Sequence, residues 1–444
     1  MGISHSLSSM SMKALTVGAM LFLLCTSAAL RPAYSQTIGF ERERARTMLD
    51  AIKGDIEKHY YDPNYRGIDV KARFAKADEA IKAATTVSQI VTIIAQTLLD
   101  FKDSHTFFIP PQRQFQVRHG WQMQIIGDKC YIIAVKPGSD AEAKGLKEGD
   151  ELLSVNTYKP TRNSLWILQY FYNTLSPQPK MQLVARSPEG KVRELEVLAK
   201  VEQLKSIVMG TDLFKDIREA ENEAYHNRHR YYEIGTDFFI WKMPQFDMSE
   251  TEIDKMMSKV KKRKAFILDL RGNGGGLETT MQRLLGHLFD HDLKIGDLKS
   301  RKEEKPVMAK TRGADNFKGE LIILIDSRSA SASEVVARMV QMEKRGTIIG
   351  DRSSGAVMRS RIHGHKHGQE IVLHYGASIT ESDLVMTDGK SLEGVGVVPD
   401  KLMLPTAADL AAKRDPVLAH AASLVGLEIS AEKAGTLFPL EWKD

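Results

Sequence analysis

Leu321-Ile322-Ile323-Leu324-Ile325 runs through Asp326-Ser327-Arg328 into Ser329-Ala330-Ser331-Ala332-Ser333-Glu334. Five successive aliphatic residues are the pattern of a strand buried on both faces, and Val335, Val336, Met339 and Val340 follow at helical spacing. A strand that turns into a helix through small hydroxyl residues has two readings. Ser is a preferred helix cap, which is the commoner role for such a stretch. The other reading is a nucleophile. Backbone N–H groups at a helix start are unpaired, and with the positive end of the helix dipole they favour a developing oxyanion.

Strands and helices alternate around this stretch from Tyr231 onward. Phe238 to Trp241, Ala265 to Leu270, Leu321 to Asp326 and Thr347 to Gly350 read as strands. Glu250 to Val260, Glu278 to Phe289 and Ser333 to Lys344 read as helices. The alternation predicts a largely parallel sheet covered by helices, with ligands at the carboxyl ends of its strands. Upstream, residues 40–102 are helical in pattern: Met48, Ile52 and Ile56 share a face, Asp62-Pro63-Asn64 breaks the run, and Thr85-Thr86-Val87-Ser88 is a cap signal for Val87 to Leu99. Phe107-Phe108-Ile109-Pro110-Pro111 reads as a stiff linker closing this unit. Residues 116–201 change to short strands (Trp121 to Ile126, Tyr131 to Val135, Glu151 to Val155, Met181 to Ala185, Val192 to Leu198) with one helical segment, Ser164 to Tyr172. After Pro399-Asp400 a short tail is helical at Ala407 to Ala412 and Pro416 to Leu424.

A chain of 444 residues predicts two to three domains, and a hydrophobic content of 42% allows sizeable cores. The net charge of +5, from 62 basic and 57 acidic residues, is too small to imply a nucleic-acid partner. Lys13, the uncharged and largely apolar Ala14 to Leu30, and the small residues of Ala33-Tyr34-Ser35 read as a secretory signal cleaved after Ser35. The protein is therefore expected to be exported, periplasmic or extracellular, and to associate with a membrane only if that segment stays uncleaved. Cys25 follows a bulky run and makes a poor lipoprotein site. Cys130 then stands alone in an apolar run and is expected to be buried, inert and without a disulfide.

Three further segments carry residues suited to chemistry. Asp269-Leu270-Arg271-Gly272-Asn273-Gly274-Gly275-Gly276 leaves a predicted strand, and its glycines let backbone N–H groups approach an anion. It reads equally as a flexible turn, and it is not a P-loop, since no Gly-Lys-Ser/Thr follows. Asp103-Ser104-His105-Thr106 ends the helical unit; a single His is more often structural, but Ser104 can hold the imidazole while a carboxylate holds Ser104. Asp388 to Asp400 is a glycine-punctuated loop with Glu393 as its inward candidate; alone it reads as a surface loop. His363-Gly364-His365-Lys366-His367 could put imidazoles on one strand face, but neither a Cys nor a spaced carboxylate completes a set and Arg361 and Lys366 flank it, so no metal is expected. No cofactor is expected.

Between the second and third strands of residues 116–201 lies Pro137-Gly138-Ser139-Asp140-Ala141-Glu142-Ala143-Lys144-Gly145-Leu146-Lys147-Glu148-Gly149-Asp150-Glu151-Leu152, which resembles the PDZ domain. That resemblance implies peptide binding by strand addition. Gly120-Trp121-Gln122-Met123 departs from the usual carboxylate-binding loop. Together with the serine, glycine, Ser-His and Glu393 segments, it makes nearly the whole mature chain similar to the serine peptidases of the C-terminal processing and tricorn-core family. The resemblance implies a multidomain α/β protein: signal peptide 1–35, N-terminal helical cap 36–112, β-rich PDZ domain 113–203, crotonase-like catalytic core 204–405 and helical tail 406–444. It makes Ser331 the nucleophile of a serine endopeptidase acting on polypeptides, with the Ala332 amide and Gly274 or Gly275 as oxyanion hole.

C-terminal processing members activate their serine with a lysine in a Gly-Lys-Gly context. The corresponding segment here is Gly350-Asp351-Arg352-Ser353-Ser354-Gly355-Ala356-Val357, and Ala356 stands at the lysine position. A guanidinium is no base, so Arg352 and Arg359 do not substitute. The tricorn-type members use a histidine preceded by serine. The expected mechanism is a tetrad: His105 takes the Ser331 proton, Ser104 orients His105, and Glu393, or alternatively Glu381, orients Ser104. The rival expectations are a catalytically silent peptide binder using the PDZ domain and an acyl-CoA enzyme of the crotonase fold.

Overall fold

The computed structural model describes residues 38–113, 115–203, 228–368 and 372–442. The expected signal segment, with Lys13, Cys25 and Ser35, lies outside the described residues. Residues 38–59 form the first helix, followed by Val70–Ala83 and Val87–Leu99. Thr86 caps the last of these in a reciprocal box with Gln89, which satisfies orphan N–H groups at the helix start. Ile52, Ile56, Phe74, Ile81, Ile94 and Leu98 meet in one core.

Phe107-Phe108-Ile109 is not a linker. It is a strand paired antiparallel with Leu373–Met386, Phe107 opposite Ser378 and Ile109 opposite Gly376. All three side chains are buried, and that burial, together with a partner strand far away in sequence, turns an apparent linker into sheet. The helical unit is thereby stitched into a five-stranded sheet that also holds Leu293–Ser300, Glu304–Ala309 and Arg359–His367.

The second unit is a five-stranded antiparallel sheet in the order Trp121–Ile126, Lys129–Val135, Glu151–Val155, Lys180–Arg186, Val192–Leu198. A short helix, Asp140–Ala143, interrupts it where none was expected, capped by Ser139. The expected Ser164 to Tyr172 helix is an α-helical turn, Leu165–Gln169, continued by a π-helical stretch, Tyr170–Leu175. Cys130 is buried without a disulfide, and that burial pushes its thiol up to about 12.

The core sheet has six strands in the order Lys401–Leu402, Thr347–Gly350, Glu320–Ile325, Ala265–Asp269, Phe238–Lys242, Arg230–Ile234, parallel except for the last pair. Strand side chains alternate between faces. Phe239, Trp241, Phe266, Leu268, Ile323 and Ile325 pack with the helices Glu250–Val260, Glu278–Leu288 and Ala332–Met342. Ile240, Ile267, Ile322, Leu324 and Ile349 pack with Pro416–Leu424 and Ala431–Leu437. Each such side chain contributes about 1.5–3 kcal/mol relative to exposure. Within the expected tail, Pro416–Leu424 and Ala431–Leu437 thus cover the second face of the sheet, since a parallel sheet is covered on both faces. Among the described residues no helix is long and apolar enough to cross a membrane.

Candidate active site

Glu320–Ile325 delivers the chain to the carboxyl edge of the sheet, and Ser331 sits at the N-cap of Ala332–Met342 with φ 55° and ψ −120°. A non-glycine residue at this positive φ costs about 1–3 kcal/mol and persists only where its surroundings over-determine it. They do. Ser331 N–H donates to Ala356 O at 2.9 Å and to Glu334 Oε2 at 3.0 Å. Ser329 Oγ donates to Leu270 O at 2.8 Å, Ser333 Oγ donates to Asn273 O at 3.0 Å, and Ala330 N–H donates to Asn273 O at 2.9 Å. The outer two serines are scaffold. Ser331, partly exposed, holds the cap position that the sequence left open between two roles.

The glycine turn presses against it. A Cβ on Gly275 would lie 2.6 Å from Ser331 Cβ, and Gly275 has φ +97°, so only glycine fits. Gly275 N–H donates to Asn273 Oδ1 at 2.8 Å. Among the described residues nothing accepts from Ala332 N–H.

Glu334 was read only as part of the serine motif, yet it organises the turn. Fully buried, it accepts from Ser353 Oγ at 2.5 Å, Gly355 N–H at 2.7 Å and Ala356 N–H at 2.9 Å, besides Ser331 N–H. Burial pushes its carboxyl up to about 7 against the pull of these donors. Its place three residues after the cap was the available signal.

Ser104 Oγ lies 2.6 Å from His105 Nδ1 and donates to Glu393 Oε2 at 2.9 Å, while Ser104 N–H donates to Glu393 Oε1 at 2.7 Å. Val357 N–H donates to Glu393 Oε2 at 3.0 Å. The Ala356–Val357 pair therefore ties the two halves together: Ala356 O holds Ser331, and Val357 N–H holds the carboxylate behind Ser104. Burial raises the Glu393 carboxyl, opposed by these donors. Buried Asp103 braces the loop, accepting from His105 N–H (3.0 Å), Thr106 N–H (2.7 Å) and Thr380 Oγ1 (2.7 Å) through Oδ1, and from Tyr60 OH (2.9 Å) through Oδ2. Glu381 is elsewhere, beside His363 and His59.

Ala356 offers no amine. Lys242, at the end of its strand, is spent on Asp269 Oδ1 (3.0 Å) and Arg271 O (2.6 Å). Burial disfavours an ionised Asp269, but Arg271 and Lys242 outweigh it and hold that carboxyl well below the usual range. The β-rich unit docks beside the turn: Gln124 Nε2 donates to Asp326 Oδ2 at 2.8 Å, Gly127 N–H donates to Asp351 Oδ2 at 2.9 Å, and Arg162 pairs with Asp351 at 2.8 Å.

Residues 240–403 match the model of peptidase family S41. The tail-specific protease of Haemophilus influenzae is 26% identical over 314 residues, covering 66% of this chain and 43% of that protein. The chloroplastic C-terminal processing peptidase of Tetradesmus obliquus is 21% identical over 367 residues, 79% of this chain and 75% of that one. The chain thus spans less than half the length of the first of these relatives. The solved structure of mature CPAF superposes with a TM-score of 0.64 at 14% identity over 84% of this chain and 94% of that one, a likeness of fold. Ser104 and His105 lie outside the matched segment, whereas Ser331, the glycine turn, Ala356 and Glu393 lie within it, so that it is this core of the chain that is similar to peptidase family S41.

Proposed function

We propose that the protein is an exported serine endopeptidase that cleaves polypeptides through an acyl-enzyme on Ser331. The observation that carries this reading is the Glu393–Ser104–His105 chain, joined to the Ser331 turn through Ala356 and Val357. A hydroxyl has one proton. Ser104 gives its proton to Glu393, so its oxygen accepts Nδ1–H of His105, and the tautomer assigned from this network leaves Nε2 as the base. His105 Nε2 takes the Ser331 proton as Oγ attacks the scissile carbonyl, then returns it to the leaving amine; water repeats the cycle to release the acyl group. Ala332 N–H at the helix start is the first oxyanion donor. A glycine of the turn, Gly274 or Gly275, supplies the second. The chemistry needs no cofactor.

Residues 113–203 act as a PDZ-like unit that presents or gates substrate. Its contacts to Asp326 and Asp351, flanking the Ser331 turn and the Ala356 loop, support that role. The helical cap, 36–112, delivers His105. Export rests on the N-terminal segment, and N-terminal sequencing of the secreted protein should begin at Gln36.

A fluorophosphonate probe tests the chemistry. Labelling of the wild type, abolished in Ser331→Ala and strongly slowed in His105→Ala together with peptide hydrolysis, is expected. Full peptidase activity in either variant overturns the mechanism, and a wild type that binds peptides without labelling is a silent binder.

A further inference from the structure

We infer that Asp55, His59 and His363 form a binding site for a divalent cation of zinc type, a clasp between the first helix and the strand Arg359–His367. Each residue offers one ligand atom, and the three atoms lie within 4.8 Å of one another. Asp55 and His59 are four apart on the helix of residues 38–59 and so share a face, while His363 and His365 share a face of their strand. Sequence spacing missed the site because its carboxylates come from other elements. The three histidines on the strand lacked a completing acid, and the fold brings Asp55 from the helix and Glu381 from the neighbouring strand.

The cluster has features that a simple ion network leaves unexplained. His363 Nε2 is buried with no hydrogen bond among the described residues, although Glu381 Oε1 stands 3.3 Å away. The rings of His59 and His363 lie 4.3 Å apart, centroid to centroid, at 30°. That spacing places both imidazoles against one point, where a ligand atom of each can face a shared ion. His365 Nε2 lies 2.6 Å from Asp55 Oδ2, the kind of outer contact that fixes a ligand's orientation. Glu381 Oε1, 3.9 Å from His59 Nδ1, is within reach as a fourth ligand. Arg361 approaches the other oxygen of Glu381 and is largely exposed, so it does not occupy the clasp.

Two imidazoles with carboxylate oxygen suit zinc and its neighbours better than calcium or magnesium, which take oxygen ligands. Ligand bonds of about 2.0–2.2 Å require these atoms to draw closer together through side-chain adjustment. Closing the clasp would tie the cap to the strand pair Arg359–His367 and Leu373–Met386, the latter of which also holds Phe107–Ile109 beside His105.

The test is titration of the chelator-treated full chain with Zn2+ and Co2+. One equivalent of Zn2+, a rise in melting temperature, and a Co2+ visible spectrum of tetrahedral intensity are expected. His363→Gln and Asp55→Asn should each weaken Zn2+ binding by more than about tenfold, while His291→Gln, at an exposed site, should leave it unchanged. If His363→Gln does not fold, Asp55→Asn alone carries the comparison. No stoichiometric binding, or an isotherm unaltered by these substitutions, overturns the site.

Discussion

Glu393 lies 289 residues beyond Ser104 and accepts from both its amide (2.7 Å) and its hydroxyl (2.9 Å). A carboxylate with this grip draws the one hydroxyl proton of Ser104 to itself, and thereby sets which nitrogen of His105 carries the ring proton. Glu393→Gln presents an amide donor to one of those groups and reverses the chain. It should lower kcat by about 10²–10⁴ with little change in KM. Ser104→Ala should do the same, and the double variant should be no worse than either single one. Additive losses in steady-state kinetics would show that the two residues act separately.

Glu334 predicts a pH effect. Its folded pKa, about 7, is raised above the ordinary value of 4.5. The stability it contributes is therefore fully present below pH 4.5 and is lost as pH rises through 7. The difference between those limits is on the order of 3 kcal/mol. Glu334→Gln cannot titrate, so its melting temperature relative to wild type should climb over this window. The same variant sets an amide against the N–H groups of Ser331, Gly355 and Ala356, and should lower activity by disturbing the turn. A parallel pH dependence of melting in the two proteins would count against this assignment.

Gly275→Ala should abolish acylation while leaving the fold in place. The added Cβ would stand 2.6 Å from Ser331 Cβ and 3.0 Å from Ala330 O, at a φ that alanine rarely adopts. The Ser331 turn must then shift, and burst labelling by a fluorophosphonate probe should disappear although the far-ultraviolet circular dichroism is retained.

Phe108 is wholly buried, and its backbone pairs with Ala377. Phe108→Ala should cost about 3–5 kcal/mol, measured by denaturant unfolding. Because the same strand positions His105, activity should fall at temperatures where the remaining core is still folded.

Cys130 should resist thiol reagents in the native protein and react only on unfolding. Its buried thiol is held up to about 12, so the reactive thiolate is scarce at neutral pH. Rapid native modification would show that the β-rich unit opens.

Local signals carried much of the fold into the sequence. Glu250–Val260 begins and ends where its pattern said, because Ser249 and Glu252 form a reciprocal cap and Ile253, Met257 and Val260 share one buried face. The serine turn, the glycine turn and the absence of a lysine at Ala356 were likewise readable, since each is a short run with its own backbone chemistry. Leu293–Ser300, Glu304–Ala309 and the full extent of Arg359–His367, beyond its histidine stretch, were not. They mix charged with apolar residues on half-exposed faces, and their identity as strands depends on partners that local propensity does not encode. The same reason hid the role of Phe107–Ile109. By itself the sequence determined which side chains are available and which base is missing. Only the tertiary structure decided that Glu393 stands behind Ser104 while Glu381 stands beside His59 and His363. Residue spacing within one segment is set by the local backbone, whereas a contact across 289 residues exists only once the sheets have assembled.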